Sequence, residues 1–152
     1  MSCFETVGYG YSSILCEDIA SWFINKYVPR HKFFVRIVHK GLKREHSFGF
    51  CDFVDQAYRP RVFVIEVQSN LSKEMYIKTL LHEFVHLKQW LQGTLRMKSG
   101  KMYFDGESVE KYEYMDQPHE VEAYGAEERL AREFLCDTYG KKFAEKIVGE
   151  KL

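Results

Sequence analysis

Residues 75–91 read MYIKTLLHEFVHLKQWL, a mostly apolar stretch with a polar group, His82, Glu83 and His86, near its middle. Its apolar residues cover most sides of a helix, which is typical of a helix buried inside a domain. Burying the three polar side chains without partners would cost several kcal/mol. The stretch therefore predicts a central helix in which these three residues have a specific task.

The ends of this central helix are marked by residues with known capping preferences. Asn70 or Ser72 is a suitable N-cap, because a short polar side chain can accept a hydrogen bond from a backbone N–H of the first turn. Gly93 suits the position after the last turn, where a left-handed conformation is common. We therefore expect the helix to run from about Lys73 to Gln92.

The polar group on this helix has the spacing of a metal site. Residues four apart lie on the same helical face, so His82 and His86 point the same way and can bind one zinc ion. Glu83 can then reach a water held by that ion and take its proton. The alternative is that both histidines are ordinary core residues and Glu83 is exposed; the specificity of the pattern within a helix favours the zinc site.

A catalytic zinc ion usually has three protein ligands and one water, so a third ligand is required. A final predicted helix begins with residues 118–124, PHEVEAY. Glu120 falls near the middle of its apolar face, where a carboxylate needs a cation, and Glu122 falls roughly opposite. We therefore expect Glu120 to be the ligand and Glu122 to be solvated, with Glu122 kept as an alternative. The apolar residues that define this face are Val121, Ala123, Tyr124, Leu130, Ala131, Phe134 and Leu135.

Two further residues of the final helix are candidates for supporting roles. Glu127 lies two turns after Glu120 on nearly the same face, where its carboxylate can accept a hydrogen bond from His82 or His86 and orient that ring. The alternative for Glu127 is a surface salt bridge with a lysine or an arginine. His119 is a weaker ligand candidate, which we expect to line the cleft.

The rest of the chain predicts an α+β domain spanning residues 1–152, with a small mixed sheet packed on the central helix and the final helix carrying the third ligand. Residues 1–13 look irregular, and His31, His39 and His46 lie in or beside predicted strands, so we expect them to be surface or core residues. The predicted elements are a helix at Ile14–Val28, strands at Lys32–His39, Arg44–Val54 and Arg61–Val67, a hairpin at Lys101–Val109, and a final helix from Pro118 to about Tyr139, interrupted at Gly140 and resumed at Lys141–Val148.

Composition restricts the classes of partner. Lysine plus arginine equals aspartate plus glutamate at 22 each, so we expect no nucleic-acid partner. The four cysteines form no CxxC pair, and we expect reduced, mostly buried thiols. The chain shows neither a signal-peptide pattern nor an apolar run as long as a membrane span. We therefore expect a cytoplasmic protein without a membrane partner.

The motif at residues 82–86, HEFVH, followed by Glu120 34 residues after His86, resembles the gluzincin branch of the zincin metallopeptidases. In several gluzincin-like families the third ligand is the first Glu of a Glu-x-x-Ala-Asp/Asn pattern, which matches Glu120. The chain departs from that pattern at Tyr124, where those families carry Asp or Asn. The sequence around both motifs also resembles that of small HExxH proteins encoded by bacteriophages. This resemblance implies that the protein would act in a host cytoplasm.

The resemblance implies a minimal zincin-like fold, a zinc ion as cofactor and zinc metalloendopeptidase activity on a peptide or protein substrate. It implies that His82, His86 and Glu120 hold the zinc ion and that Glu83 is the general base. An extended substrate would lie antiparallel to the edge strand of the sheet. The oxyanion needs a further donor, and the alternative for each tyrosine is packing with its hydroxyl at the surface. The candidate donors are Tyr112, Tyr114, His119 and Tyr124.

Two other functions remain as alternatives. The first is a zinc-binding phage structural or host-interaction protein without independent peptidase activity. The second, ranked lower, is a DNA-associated protease of the SprT-like type. That family uses a third histidine ligand and often a cysteine-rich zinc ribbon, and this chain shows neither pattern.

Overall fold

The computed structural model describes residues 3–42 and 47–148, which form an α+β fold, as predicted. The helices in this part of the chain are α1 (Ser13–Tyr27), α2 (Lys73–Gln92), α3 (Pro118–Tyr139) and α4 (Lys141–Val148). The strands are β1 (Phe4–Gly8), β2 (Phe34–Lys40), β3 (Gly49–Phe53), β4 (Val62–Gln68), β5 (Leu95–Lys98), β6 (Lys101–Phe104) and β7 (Glu107–Ser108).

The larger sheet has the strand order β1-β2-β4-β3. Strands β1, β2 and β4 run parallel, whereas β3 pairs antiparallel with β4 and forms an edge. The two central strands alternate buried and more accessible side chains, as strands with one covered face do. Their buried residues pack with α1 and α2 in one core: Val35, Ile37, Phe63, Ile65 and Val67.

The prediction that residues 1–13 are irregular is wrong for Phe4–Gly8, which forms β1. The hydrogen-bond partner of β1 is β2, about thirty residues later in the chain, and local sequence patterns do not report such a pairing. Gly8 looks like a loop residue, but it has a φ of +113°, and a Cβ there would collide with the backbone carbonyl of His39. This glycine serves a close strand-to-strand contact.

The other predicted elements are present with shifted ends. A strand was predicted at Arg44–Val54, and the observed strand β3 is shorter, because it begins at Gly49. Residues 43–46, including His46, lie outside the described part of the chain. The hairpin around Asp105 and Gly106 is confirmed as β6 and β7. Strand β5 was not predicted; it joins β6 through Ser99 and Gly100, both with positive φ.

Helix α2 has the bounds expected from its sequence. Ser72 is the N-cap, and its hydroxyl accepts a hydrogen bond from the Met75 N–H at 3.2 Å. Gly93 ends the helix with a φ of +79°. Every side chain from Thr79 to Leu87 is buried, because β3 and β4 cover one side of the helix while α1 and α3 pack against others. This burial brings polar groups of α2 into the interior.

The apolar face of α3 is narrower than predicted. Ala123, Leu130, Ala131, Phe134 and Leu135 are buried, but Val121 is 54% exposed and Tyr124 is 37% exposed. The reason is that the start of α3 packs over the polar part of α2, where His82 and His86 lie, and not over the apolar core. Glu120 is nevertheless on the buried side, as expected.

No helix of residues 3–42 and 47–148 is long and apolar enough to cross a membrane. All four cysteines are free thiols. Only Cys16 is fully buried, so the prediction of mostly buried thiols is wrong for Cys3, Cys51 and Cys136.

Candidate metal centre

Three side chains from two helices meet at one point in the interior: His82 and His86 from α2, and Glu120 from the first turn of α3. Glu120 Oε1 lies 3.0 Å from His82 Nε2 and 2.7 Å from His86 Nε2, and the two Nε2 atoms are 3.2 Å apart. Each of the three residues is at most 7% exposed. The structure thus brings together the three predicted ligand residues.

The second ring nitrogen of His82 contacts the next polar residue of α3. His82 Nδ1 is 3.1 Å from Glu127 Oε2, the contact expected for a residue that orients the ring. An ionised carboxylate can only accept a hydrogen bond, so Nδ1 carries a proton, and in the neutral ring Nε2 then presents its lone pair. Glu127 lies about one helical turn after Tyr124, the position that carries Asp or Asn in the resembled pattern.

The second ring nitrogen of His86 contacts Gln89, a residue that the sequence analysis did not single out. His86 Nδ1 is 2.8 Å from Gln89 Oε1. Gln89 is 1% exposed, and its amide nitrogen contacts the backbone carbonyl of His119 at 3.0 Å. The signal available in the sequence was a polar residue three positions after His86 in an otherwise apolar helix, where i and i+3 side chains meet.

The three converging atoms fit a metal ion. With both Nδ1 atoms protonated, His82 Nε2, His86 Nε2 and Glu120 Oε1 turn lone pairs toward one another. Such an arrangement is unfavourable in a buried site unless a cation lies between the lone pairs. Two imidazoles and one carboxylate are a common donor set for divalent transition metals. These residues are therefore close enough, and of the right chemistry, to bind a metal ion.

The electrostatics of the cluster favour positive charge at this point. Burial alone lowers the pKa of His82, but its hydrogen bonds with Glu120 and Glu127 outweigh burial and raise that pKa to about 9. Burial acts to raise the pKa of Glu120, yet hydrogen bonds with His82 and His86 hold it far below its usual range. Both shifts favour positive charge among these three side chains.

Glu83 is buried beside this cluster and lines the same cleft. It is 5% exposed, which contradicts the alternative of a surface glutamate, and it accepts no hydrogen bond from any residue within 3–42 and 47–148. Burial raises its pKa to about 7. Its carboxylate faces Gly49 of β3, where an added Cβ would lie 2.7 Å from Glu83 Oε2. Gly49, which the sequence analysis missed, makes room for the carboxylate.

The cluster opens into a cleft of about 990 Å³ between α2, α3, β3 and the smaller sheet. His82, Glu83, His86 and Glu120 line it, and the edge strand β3 supplies one wall. Apolar side chains supply much of the remaining surface, including Met75, Trp90, Leu95, Met97, Met102 and Val109. A ligand in this cleft would contact the metal centre and the edge strand together.

The structure separates the four candidate oxyanion donors. Tyr114, His119 and Tyr124 line the cleft, whereas the Tyr112 hydroxyl contacts Glu107 at 3.5 Å and lies outside it. Burial and the nearby Glu120 carboxylate raise the pKa of Tyr114 well above its usual range. The Tyr124 ring lies 4.4 Å from the His82 ring, measured between centroids.

His119 is 7% exposed and is not a member of the three-residue cluster, which agrees with its predicted place in the cleft wall. Its Nδ1 is buried and has no hydrogen-bond partner within residues 3–42 and 47–148, and burial lowers its pKa to about 4. Glu122 is exposed, as expected, and accepts a hydrogen bond from Gln89 at 3.1 Å.

The described histidines of the larger sheet and its loops lie away from the cluster. His39 is a fully buried core residue whose Nε2 contacts the Tyr76 hydroxyl at 2.7 Å. His31 is half-buried.

We compared the chain with protein-family models, with curated proteins and with solved structures. None of the three comparisons finds a match to it. The functional interpretation therefore depends on the geometry and chemistry of the cluster.

Proposed function

We propose that this chain is a zinc-dependent metallopeptidase in which His82, His86 and Glu120 hold the zinc ion. The observation that carries the proposal is the buried convergence of their three metal-binding atoms beside Glu83, a buried carboxylate that accepts no hydrogen bond from the described residues. Zinc is the metal of choice, because three protein ligands from histidine and glutamate with an open position are its usual catalytic arrangement.

When bound, zinc supplies Lewis-acid polarisation of the substrate carbonyl and lowers the pKa of its coordinated water. Glu83 takes a proton from the attacking water and delivers it to the leaving amine. The burial that raises the pKa of Glu83 to about 7 suits this task, since the group can then accept and release a proton near neutral pH. Gly49 keeps the space in front of this carboxylate open.

The substrate is a peptide or a protein bound in extended form along β3. Strand β3 pairs with β4 on one side, and within the described residues no strand pairs with its other edge. An extended chain can form backbone hydrogen bonds with such an edge without reading its sequence. Tyr114, His119 and Tyr124 are the candidates to donate a hydrogen bond to the oxyanion, because all three line the cleft.

The test is a cleavage screen with a mixed peptide library and denatured protein substrates, read by mass spectrometry. Zinc-loaded wild-type protein should produce cleavage products, and protein stripped of metal should not. Zinc-loaded Glu83→Gln is the matched control, because it keeps all three ligands and removes the base. Zinc binding without any cleavage would refute the peptidase proposal and favour a metal-binding protein without independent activity.

A further inference from the structure

Gln89 lies between a candidate metal ligand and the helix that carries another. We propose that Gln89 is a positioning residue of the metal centre, which fixes the ring of His86 and the first turn of α3 together. This inference rests on the proposed metal site. Gln89 is 1% exposed and makes three hydrogen bonds: with His86 Nδ1 at 2.8 Å, the His119 carbonyl at 3.0 Å and Glu122 Oε1 at 3.1 Å.

The orientation of the Gln89 amide follows from its partners. The backbone carbonyl of His119 and the carboxylate of Glu122 can only accept hydrogen bonds, so both must face the amide nitrogen, which has two N–H groups to donate. The amide oxygen is then directed at His86 Nδ1. A flipped amide would place its oxygen against two acceptors and is excluded on that ground.

This orientation selects one tautomer of His86. Because Gln89 Oε1 can only accept, His86 Nδ1 must carry a proton, and in the neutral ring the lone pair of His86 Nε2 is then available for a metal ion on the side of Glu120. Glu127 does the same for His82. His82 therefore has a partner on α3, Glu127, and His86 has a partner on α2 itself, Gln89.

The amide nitrogen of Gln89 forms a hydrogen bond with the backbone of α3. His119 directly precedes Glu120, so the hydrogen bond to the His119 carbonyl holds the first turn of α3 against α2 at the position of the third ligand. One buried side chain thus constrains ligands on both helices. Outer hydrogen-bonding partners of metal ligands typically change metal affinity by roughly 10- to 100-fold when removed.

The experiment measures zinc affinity of the full chain, stripped of metal and titrated with zinc alone against a chromophoric chelator. Gln89→Leu keeps the approximate volume of the side chain and removes all three hydrogen bonds. We expect its zinc affinity to fall by about 10- to 100-fold. Gln92→Leu is the matched control, because it makes the same change at an exposed position at the end of α2; it should keep wild-type affinity.

A second readout separates positioning from general packing. In zinc-loaded wild-type protein, ring-nitrogen NMR should show Nδ1–H signals for both His82 and His86. In Gln89→Leu the His86 signal should shift or exchange rapidly, while the His82 signal, held by Glu127, remains as an internal reference. Gln89→Glu keeps an acceptor for His86 and loses the amide donor, so it should retain the His86 signal with intermediate affinity.

The outcomes distinguish this inference from the proposed function. If wild-type protein binds no zinc, the metal site itself is wrong. If wild-type protein binds zinc and Gln89→Leu binds it within about twofold with an unchanged His86 signal, the role of Gln89 alone is overturned. If Gln89→Leu does not fold, Gln89→Glu decides: wild-type affinity together with loss of the His86 signal contradicts the inference.

Discussion

The two ends of α3 hold carboxylates against neighbouring helices in opposite ways. Near its start, Glu120 and Glu127 contact the rings of His82 and His86 inside the protein. Near its end, Glu133 and Asp137 pair with Lys26 of α1 at 2.6 and 2.8 Å, where all three side chains are between 25% and 45% exposed. Among the described residues, the second cluster includes a lysine, whereas the basic groups of the first are histidines.

The difference shows which carboxylates depend on a ligand. A surface ion pair exchanges water for a partner of similar strength and contributes little. The Glu120 carboxylate is buried and its contacts are with two histidine rings, so we expect its stability to depend on a cation at that point. Substitutions at the start of α3 should therefore act through metal, and substitutions at its end should not.

The largest effect should come from Glu120. Glu120→Ala leaves the ion with two protein ligands, so zinc should be lost along with activity. Glu122→Ala, two positions along the same helix, removes an exposed carboxylate and should keep both. Elemental analysis of the two purified variants, side by side, makes the comparison. An empty Glu122→Ala protein with a loaded Glu120→Ala protein would reverse the assignment of the ligand.

Glu83→Gln should separate binding from chemistry. The substitution keeps the shape of the side chain and removes its capacity to accept a proton, so hydrolysis should fall by roughly two orders of magnitude or more. Zinc content and the thermal midpoint should stay close to those of the wild type, since Glu83 is not a member of the ligand cluster. Loss of zinc in this variant would mean that Glu83 is a ligand; unchanged turnover would mean that another group is the base.

Glu127→Gln should have an intermediate effect. The amide of glutamine can still accept a hydrogen bond from His82 Nδ1 but has lost its charge, so zinc affinity should fall by about tenfold. Chelator competition measures that affinity, with Glu128→Gln as a control on the neighbouring exposed position. Equal affinities of the two variants would show that Glu127 does not tune the site.

The smallest effect should come from the other end of α3. Lys26→Met removes the cation that pairs with Glu133 and Asp137, and the thermal midpoint should change by no more than about 3 °C because the pairs are exposed. Zinc content should be unchanged. Scanning calorimetry with and without zinc tests this directly, and a collapse of zinc binding in Lys26→Met would remove the contrast between the two ends.

Local patterns predicted the parts of this protein that local physics determines. The central helix carries an apolar period and caps at Ser72 and Gly93, so its bounds were readable. Glu120 was separated from Glu122 because the two differ in helical face. The same reasoning failed at Val121 and Tyr124, since the apolar face of α3 ends where its partner surface becomes polar.

What the sequence could not supply are contacts made across the fold. Strand β1 depends on hydrogen bonds from β2, and Gly49 matters because β3 brings it to Glu83. The sequence shows only that Gln89 is polar, whereas the structure shows that it lies between His86 and the carbonyl of His119. Each of these depends on elements far apart in the chain, for which a single sequence contains no direct signal.

The central claim is that the buried point between α2 and α3 is a metal site. The most direct measurement is the metal content of wild-type protein that has been stripped with a chelator and dialysed against micromolar zinc. The account predicts one zinc ion per chain, with a thermal midpoint that rises on loading because the ion binds the folded state. A protein that takes up no zinc and shows no change in midpoint would contradict it.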